Sequence, residues 1–592
     1  MQYLKLLEGD KVQVKYKKIN MEISIPELLE KKVMVLDDKK SEECNIILDS
    51  LDINYKILYL GRNNSGELIL TNIVRKILPM RMYLLSCMTK KNIWFYGIIS
   101  DKNKKKATFD NIYFNSDKVG TVKRPFKKIG LKDIAIAKIP MTSVLDSGMF
   151  NNMVRVGNSD RIAVPLRKIK TVKKGAQYYS HKNVENKYIL IRTTPNSSNI
   201  RITGVPMQPE YKKINLFKNS LARLISKVMV KKNIVLMFEK ESKRAEESGY
   251  YIFEKIQDRK FKKTKTYFII DKNAKAYKSI KEKHGKYILE KFSFRYYLYI
   301  YLSKYFVSSE LSSHIVSARF YIKSLNDEIN KKPLVFLQHG IMFAKPVDNP
   351  AALGFHKGRS QINIWKNVIS SDLEATQFYK MGYDDNDLIK CGLTKFDTSF
   401  MNKDADKILF MQTYRYWEEA ALGDEDKIKE TTYYKSNMEV IKAFEKAGML
   451  DKFRVSCHPK VAECMVKSAP EYKEILQPDL TAGLAESKVF ITDYSSASYD
   501  AHYRGAYILY YWADKDYLIE QYQAIPALNE TNCDGVPVYS PEELVKEVKN
   551  AIAKNYVMDK EYEDRYRKIN EFHDGKNGER LIEELIKLEV LK

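Results

Sequence analysis

Two histidines follow short apolar runs, at positions where the end of a buried strand would meet a ligand. His339 comes shortly after the run 334–337, and His458 comes directly after the run 453–457. A neutral imidazole with a pKa of about 6.5 can take a proton from an attacking hydroxyl at neutral pH. Gly340, beside His339, would let the backbone approach a ligand closely. Both histidines are therefore candidate catalytic residues, and the other six are expected to be structural.

Phosphate-binding groups follow further strand ends. Arg415 and Lys460 carry positive charge that can offset the negative charge on phosphate oxygens. Ser495 and Ser496 begin a predicted helix, so their hydroxyls and the free backbone N–H groups there can hold a phosphate. The alternative for Asp493 is that it caps this helix. The predicted donor-binding residues from these strings are Arg415, Lys460, Thr492, Asp493, Ser495 and Ser496.

The sequence offers little for a metal or a reactive thiol. Six cysteines show no CxxC spacing, which argues against a zinc site and a disulfide scaffold. The acidic strings 385–387 and 514–516 stand in polar loops, where carboxylates are usually solvated. We predict no cofactor and no metal site, although a divalent cation could assist the reaction.

The elements that position these groups alternate between strands and helices after residue 232. Such a pattern predicts parallel sheets, whose ligands bind beyond the carboxyl ends of the strands. Two series joined near residue 400 predict an α/β fold with two Rossmann-like lobes that face each other. The predicted strands are 233–238, 266–270, 304–308, 334–337 and 364–369 in the first series, and 407–411, 453–456, 489–491 and 507–511 in the second.

Helices are predicted between these strands by their apolar spacing and by capping signals. We expect helices over 245–256 and 294–302, and a final amphipathic helix over 578–591. A further helix should begin at Ser371, which forms a capping box with Glu374.

The first part of the chain has a different pattern. Short β-rich runs separated by polar turns fill residues 45 to 205 and predict a β-sandwich with an accessory role. The predicted domains are therefore an accessory domain over 1–208, a first lobe with a linker helix over 209–400, and a second lobe over 401–592.

The linker helix, over 212–232, is basic and amphipathic. Its apolar face comprises Ile214, Phe217, Leu221, Leu224, Ile225 and Val228. One interpretation is that this face lies on an anionic membrane. The other is that it packs the accessory domain against the lobes.

The formal net charge of +26 over 592 residues favours a polyanionic partner, although a lysine-rich genome would also raise it. We find no apolar stretch near the roughly 18 residues of a membrane span and no apolar core of a secretory signal. The expected location is the cytoplasm, peripherally on the inner face of the cell membrane.

Residues 232 to 585 resemble the CDP-glycerol glycerophosphotransferase family, the teichoic-acid primases and polymerases of Gram-positive bacteria. The resemblance adds Asp500 to the donor-binding residues and makes Gly340, Lys395 and Asp397 secondary candidates. The matching elements, in family order, are His339-Gly340, 392–397, Thr413-Tyr414-Arg415, His458-Pro459, 492–496 with Asp500, and Asp574-Gly575.

The chain departs from the family beside His339. The family commonly has Trp before its His-Gly pair and Thr-Pro-Leu-Lys after it, whereas here Gln338 precedes the pair and residues 341–345 read Ile-Met-Phe-Ala-Lys. The family also usually carries Pro and Arg where Thr394 and Lys395 stand. These departures leave open which alditol the donor carries and which acceptor the protein uses.

The resemblance implies a GT-B fold and transfer of glycerol or ribitol phosphate from a CDP-alditol to a lipid-linked or polymeric acceptor, with release of CMP. The acceptor hydroxyl would attack the β-phosphorus, with His339 as the favoured general base. His458, Arg415 and the Ser495-Ser496 pair would hold the pyrophosphate and stabilise the departing CMP. The implied partners are this donor, an anionic acceptor and an anionic membrane.

Two other functions stay open from the residues alone. A GT-B glycosyltransferase making capsular polysaccharide from a nucleotide sugar would share the lobes but release UDP or GDP. A nucleic-acid-binding protein would explain the charge, but no RRM, KH or helix-turn-helix signature occurs and the basic residues are dispersed. We therefore predict no nucleic-acid partner.

Overall fold

The computed structural model describes most of the second half of the chain and the strands of the first. Before residue 199 it describes β-strands with a few short turns and connections. The chain forms two compact units, residues 1–212 and residues 213–592. From residue 199 onwards, the description omits 231–232, 318–321, 350–351, 419–420, 422–426, 459–460 and 478.

The first unit is built mainly from antiparallel strands. Its largest sheet has seven strands in the spatial order Ala163–Pro165, Val154–Gly157, Asn111–Phe114, Asp117–Lys123, Ile134–Pro140, Asn92–Ile98 and Leu85–Met88. Three-stranded sheets are formed by Tyr3–Leu7, Lys11–Tyr16 and Ile19–Ser24, by Ile46–Ile53, Lys56–Arg62 and Leu68–Thr71, and by Gln177–Val184, Lys187–Thr193 and Ile200–Pro206. Arg81–Met82 and Arg167–Lys168 form a parallel pair. That these sheets form a sandwich stays a prediction.

The second unit begins with a parallel sheet of seven strands, which we call the first lobe together with its helices. The interior strand Ile234–Phe238 is buried at every residue, because helices cover both faces of such a sheet. All neighbouring strands are parallel. The spatial order is Ile288–Glu290, Lys265–Ile270, Ile234–Phe238, Tyr305–Ser308, Leu334–Phe336, Ile364–Ile369 and Leu388–Lys390.

A second parallel sheet, of five strands, forms the second lobe. Its strands are also paired in parallel throughout. The order is Phe453–Val455, Lys407–Met411, Ser487–Thr492, Tyr507–Tyr511 and Val536–Val538. The α/β architecture with parallel sheets that the sequence predicts is thus confirmed.

Helices connect and cover these strands. In the first lobe they are Lys213–Val228, Ser248–Arg259, Tyr277–His284, Phe294–Leu302, Lys323–Lys331 and Asp372–Lys380. After residue 400 they are Thr432–Lys446, Ala462–Ser468, Leu480–Glu486, Ala497–Tyr503, Lys515–Tyr522, Pro541–Ala553, Lys560–Ile569 and Asn577–Lys587.

The helix expected over 245–256 begins and ends about one turn later, at Ser248–Arg259. The cause is Glu239, whose buried carboxylate accepts backbone N–H groups from residues 246, 247 and 250 at 2.9, 3.0 and 2.8 Å. A carboxylate at this position satisfies N–H groups that have no partner inside the helix. The helix start is therefore set by a residue outside the apolar pattern.

The linker helix, Lys213–Val228, buries the side chains opposite to its apolar face. Asn215, Asn219 and Ala222 are buried, and Asn219 accepts a hydrogen bond from the hydroxyl of Tyr301 at 2.8 Å. By contrast, Ile214, Phe217, Leu224 and Val228 are 57%, 63%, 62% and 85% exposed. None of the helices in the described part of the chain has the length and apolar composition of a membrane span.

Candidate active site

The loop that carries His339 follows the strand Leu334–Phe336 at the carboxyl edge of the first sheet. Gln338 is buried and has a φ of 58°, which is uncommon for a residue with a side chain. Its amide donates to the carbonyl of Val368 at 2.6 Å. A buried side chain therefore anchors the turn that presents His339.

One carboxylate holds this loop on both sides of His339. Glu374 is buried, and its Oε1 accepts from Gln338 Nε2 at 3.1 Å and from the backbone N–H of Met342 at 2.6 Å. Its Oε2 accepts the backbone N–H of Ser370 at 2.7 Å. The predicted capping box is half formed: Ser371 accepts the N–H of Glu374 at 3.0 Å, whereas the Glu374 carboxylate serves the loop instead.

His339 is exposed to solvent on one side and surrounded by protein elsewhere. Desolvation by that protein, followed by the positive charge of Lys395, lowers the pKa of His339 to about 4. The backbone of Ser309 opposes this shift. His339 is therefore neutral at pH 7, and one nitrogen of a neutral imidazole can accept a hydrogen bond.

Lys395 links the histidine loop to the second lobe. It lies in the short turn Thr394–Thr398 that follows the last strand of the first sheet. Its Nζ donates to the backbone carbonyl of His339 at 2.6 Å and pairs with Oδ1 of Asp500 at 2.6 Å. The two side chains of the ion pair are only 14% and 10% exposed. Three predicted residues thus form one connected group.

Gly340 lies close to Ser496 of the second lobe. A Cβ on Gly340 would lie 2.7 Å from Oγ and 3.3 Å from Cβ of Ser496. The close approach expected at this glycine is therefore to the Ser496 side chain. It places Ser496 beside His339, although the two residues are far apart in sequence.

The second sheet presents Asp493 beside the neighbouring strand. Thr492 pairs with Met411 in parallel register, and its hydroxyl donates to the Met411 carbonyl at 2.6 Å. Oδ1 of Asp493 accepts the backbone N–H and the hydroxyl of Thr413 at 2.8 and 2.5 Å. Asp493 therefore fixes the start of the Thr413-Tyr414-Arg415 string and does not cap the next helix.

The second oxygen of Asp493 is buried and, among the described residues, has no hydrogen-bond partner. Lys345, from the first lobe, is exposed to solvent, and its ammonium group interacts electrostatically with the Asp493 carboxylate. Desolvation lowers the pKa of Lys345, and the interaction with Asp493 opposes this. A carboxylate of the second lobe and an ammonium group of the first therefore interact electrostatically.

The Ser495-Ser496 pair precedes the short helix Ala497–Tyr503. Oγ of Ser495 accepts the N–H of Ala497 at 3.3 Å. Ser496 occupies the N-cap position but makes no side-chain capping bond within this helix. Its hydroxyl is therefore not used by the helix and faces Gly340.

The surroundings of Arg415 differ from those expected of a phosphate-binding side chain. Arg415 is fully buried, and its guanidinium contacts the carboxylate of Asp514 and the hydroxyl of Thr432, with the ring of Tyr517 5.8 Å away. The prediction that it offsets phosphate charge took no account of this ion pair. A guanidinium with no exposed surface can contact a phosphate only after the pair with Asp514 rearranges.

His458 lies at the edge of the second sheet, against Tyr414. The two rings are stacked, with centroids 4.3 Å apart and planes inclined by 23°. Tyr414 therefore orients His458, a contact that the sequence analysis did not predict. Lys460, the other predicted residue here, lies outside the described residues.

Asp397 holds the last helix. Its carboxylate accepts the backbone N–H groups of Asn577 and Gly578 at 2.9 and 2.8 Å, at the start of Asn577–Lys587. Negative charge there stabilises the helix. Within the string 392–397, Lys395 thus reaches the His339 loop, whereas Asp397 attaches the C-terminal helix to the first lobe.

Sequence reasoning missed Glu374 and Lys345. The capping box predicted at Ser371 uses the Glu374 carboxylate within its own helix, whereas the structure directs it to the backbone of Met342 and Ser370. The signal for Lys345 is its positive charge six residues after His339. Both contacts depend on how distant elements meet.

Comparisons with known proteins identify the family of this chain. A family model described as CDP-glycerol:poly(glycerophosphate) glycerophosphotransferase matches residues 220–587. The minor teichoic acid biosynthesis protein GgaB of Bacillus subtilis (strain 168) is 24% identical over 322 residues, which cover 51% of this chain and 34% of GgaB. The chain thus spans about a third of the length of that relative.

Solved structures with similar folds include the wall teichoic acid polymerase TagF, with a TM-score of 0.44 and 16% identity over 64% of this chain and 95% of that one. A UDP-N-acetylglucosamine 2-epimerase has a TM-score of 0.35 and 10% identity over 61% of this chain and 97% of that one. The family model covers more than half of the chain, including both sheets and all the site residues above. The chain therefore belongs to the CDP-glycerol:poly(glycerophosphate) glycerophosphotransferase family.

Proposed function

We propose that this protein transfers glycerol phosphate from CDP-glycerol to a hydroxyl of a lipid-linked or polymeric acceptor in teichoic-acid synthesis. The acceptor oxygen would bond to the β-phosphorus as the pyrophosphate bond breaks, and CMP would leave with the bridging oxygen. The observation that carries the proposal is the connected group His339, Lys395 and Asp500, with Ser496 beside it, in a chain of this family.

His339 is the proposed general base. Its neutral state at pH 7 lets it accept the proton of the acceptor hydroxyl, and its low pKa keeps it from being protonated beforehand. A base with a pKa of about 4 is weak. A bound pyrophosphate would raise the pKa of His339, because nearby negative charge favours the imidazolium.

The donor would be held by groups from both lobes. Lys345 and the Ser495 and Ser496 hydroxyls supply positive charge and hydrogen-bond donors for phosphate oxygens. Thr492, Asp493, Asp500 and His458 would support this surface. Arg415 would support the site by holding Asp514. Lys460 stays a predicted phosphate ligand.

A donor panel tests the proposal. CDP-glycerol, CDP-ribitol and several nucleotide sugars are each incubated with the protein, with and without a lipid-linked acceptor, and the released nucleotide is measured. We expect acceptor-dependent CMP from CDP-glycerol. Release of UDP or GDP from a sugar donor, without CMP from either CDP-alditol, would contradict it.

The two parallel sheets support a GT-B arrangement, in which the carboxyl edges of two Rossmann-like sheets face the same ligand. Lys395 and Gly340 reach the second lobe from the edge of the first, as that arrangement requires. The antiparallel strands before residue 212 fit an accessory β-sandwich.

We also propose that the linker helix binds an anionic membrane surface. Its four exposed apolar side chains would enter the interface, and its lysines would meet the lipid charge. Binding to vesicles containing anionic lipid should weaken as salt rises, and Phe217→Ser with Leu224→Ser should reduce it. Ile552→Ser, on a different helix where Ile552 is 41% exposed, is the control. Binding that ignores salt and the double substitution would contradict the proposal.

A further inference from the structure

Glu374 lies in the first turn of the helix Asp372–Lys380, with its carboxylate turned away from the helix and towards the His339 loop. We propose that Glu374 is a positioning residue for His339, because its carboxylate fixes the chain on both sides of the histidine. The inference rests on the proposed function and assigns the orientation of the general base to a residue outside the family strings.

Burial raises the pKa of Glu374 to about 7, and the three donors around its carboxyl group oppose that shift by favouring the ionised form. Its oxygens meet three donors: the amide of Gln338 and the backbone N–H groups of Met342 and Ser370. A carboxylate accepts at both oxygens, whereas a carboxamide has one accepting oxygen and one donating nitrogen. A glutamine at position 374 would therefore set its NH2 group against at least one of these donors.

The helix itself does not need this carboxylate. Ser371 already caps it by accepting the N–H of Glu374 at 3.0 Å. Burying a carboxylate costs free energy unless it is hydrogen-bonded, and two of its three bonds go to the His339 loop. The loop also contains Gln338 with a φ of 58°, a conformation that persists only where the surroundings fix it. Holding the loop thus accounts for the burial of Glu374.

The test compares Glu374→Gln with Ser371→Ala. Both change the start of the same helix, but only the first touches the His339 loop. We expect Glu374→Gln to lower kcat for CMP release from CDP-glycerol by about 10- to 100-fold, the effect of a misplaced catalytic group. The KM for CDP-glycerol should stay within about twofold of wild type, since donor contacts in the second lobe remain. Ser371→Ala should keep kcat near wild type, even though losing a cap lowers its stability.

Gln338→Asn provides a second variant if Glu374→Gln does not fold. Asparagine tolerates a positive φ, but its shorter side chain cannot span to Glu374. We expect it to lower kcat in the same direction with little change in KM.

The outcomes are distinct. If folded Glu374→Gln keeps wild-type kcat, or if Ser371→Ala loses as much, the carboxylate does not position His339. If Glu374→Gln does not fold, wild-type kcat in Gln338→Asn overturns the inference. If the wild-type protein itself releases no CMP from CDP-glycerol, the proposed function fails, and the inference fails with it.

Discussion

The regions around His339 and His502 shift the pKa of a histidine in opposite directions. His339 is exposed on one side, and desolvation by the surrounding protein, followed by the positive charge of Lys395, lowers its pKa to about 4. His502 is 4% exposed and lies between two carboxylates, with Nδ1 2.8 Å from Asp534 and Nε2 3.2 Å from Glu563. Burial would lower the pKa of His502, but these two hydrogen bonds outweigh it and raise the pKa to about 9.

The comparison separates a histidine suited to catalysis from one suited to structure. A neutral ring at the edge of a sheet can exchange a proton with a ligand. A charged ring enclosed by carboxylates, and stacked on Tyr566 with centroids 4.0 Å apart, holds its helix in place. His502 belongs to Ala497–Tyr503, the helix that also carries Asp500. The structural histidine therefore supports the helix that the catalytic region uses.

Replacing His339 should have the largest effect. Loss of a well-placed general base lowers the rate by about 10²- to 10⁴-fold, so His339→Gln should lose that much kcat while folding normally. His356→Gln is the control, because its ring donates to a backbone carbonyl, that of Val347, at 2.8 Å. Steady-state CMP release measures both. Near-wild-type turnover in folded His339→Gln would remove the base assignment.

Lys395→Met should change both the stability and the titration of His339. Removing one partner leaves Asp500 enclosed without its counter-charge, which should cost about 3 kcal/mol in the free energy of unfolding. The pKa of His339 should rise, because the positive charge that lowers it is gone. Urea denaturation and NMR titration of the imidazole measure the two effects. Lys357→Met, which removes an exposed lysine, is the control, and an unchanged pKa of His339 would contradict the assigned cause.

Raising the pH should lower the free energy of unfolding, because His502 loses its proton. The folded pKa, about 9, lies above the unfolded value of about 6.5. The stabilisation is therefore complete below about pH 6.5 and is lost as the pH rises through about 9. The contribution of Glu563 is discounted because its side chain is 43% exposed and solvent screens it. We therefore expect the free energy of unfolding, measured by urea denaturation, to fall by about 2–3 kcal/mol between about pH 6 and pH 9.5. Asp534→Asn should flatten this dependence, and an equally steep profile in that variant would rule out His502 as its source.

Gly340→Ala tests how closely the two lobes meet. The added Cβ would approach Oγ of Ser496 to 2.7 Å, so the lobes must shift or Ser496 must rotate. We expect about 1–3 kcal/mol of destabilisation, measured by denaturation. Combining it with Ser496→Gly should restore most of the stability. Destabilisation that persists in the double variant would place the clash elsewhere.

Much of the fold follows from local sequence. Strands buried on both faces are continuous apolar runs, which is why 234–238 and 407–411 were predictable, and the helix Phe294–Leu302 matches its apolar pattern. The strand ends located His339 and Asp493 because parallel strands place their carboxyl ends at one edge.

The contacts that refine the site depend on residues that are distant in sequence. Arg415 pairs with a carboxylate 99 residues away, and Glu374 bonds to an amide 36 residues away. The linker helix has a regular apolar face, but periodicity cannot tell that its two asparagines face the protein. These features are set by which elements pack together, and no local pattern records that.

The most direct test of the central claim is the stoichiometry of transfer. Radiolabelled CDP-glycerol and a lipid-linked acceptor are incubated with the wild-type protein and with His339→Gln, and labelled glycerol phosphate in the acceptor is counted against CMP released. We expect one glycerol phosphate transferred for each CMP in the wild type, and a loss of about 10²- to 10⁴-fold in His339→Gln. CMP release without transfer to any acceptor, or equal transfer by the two proteins, would contradict the claim.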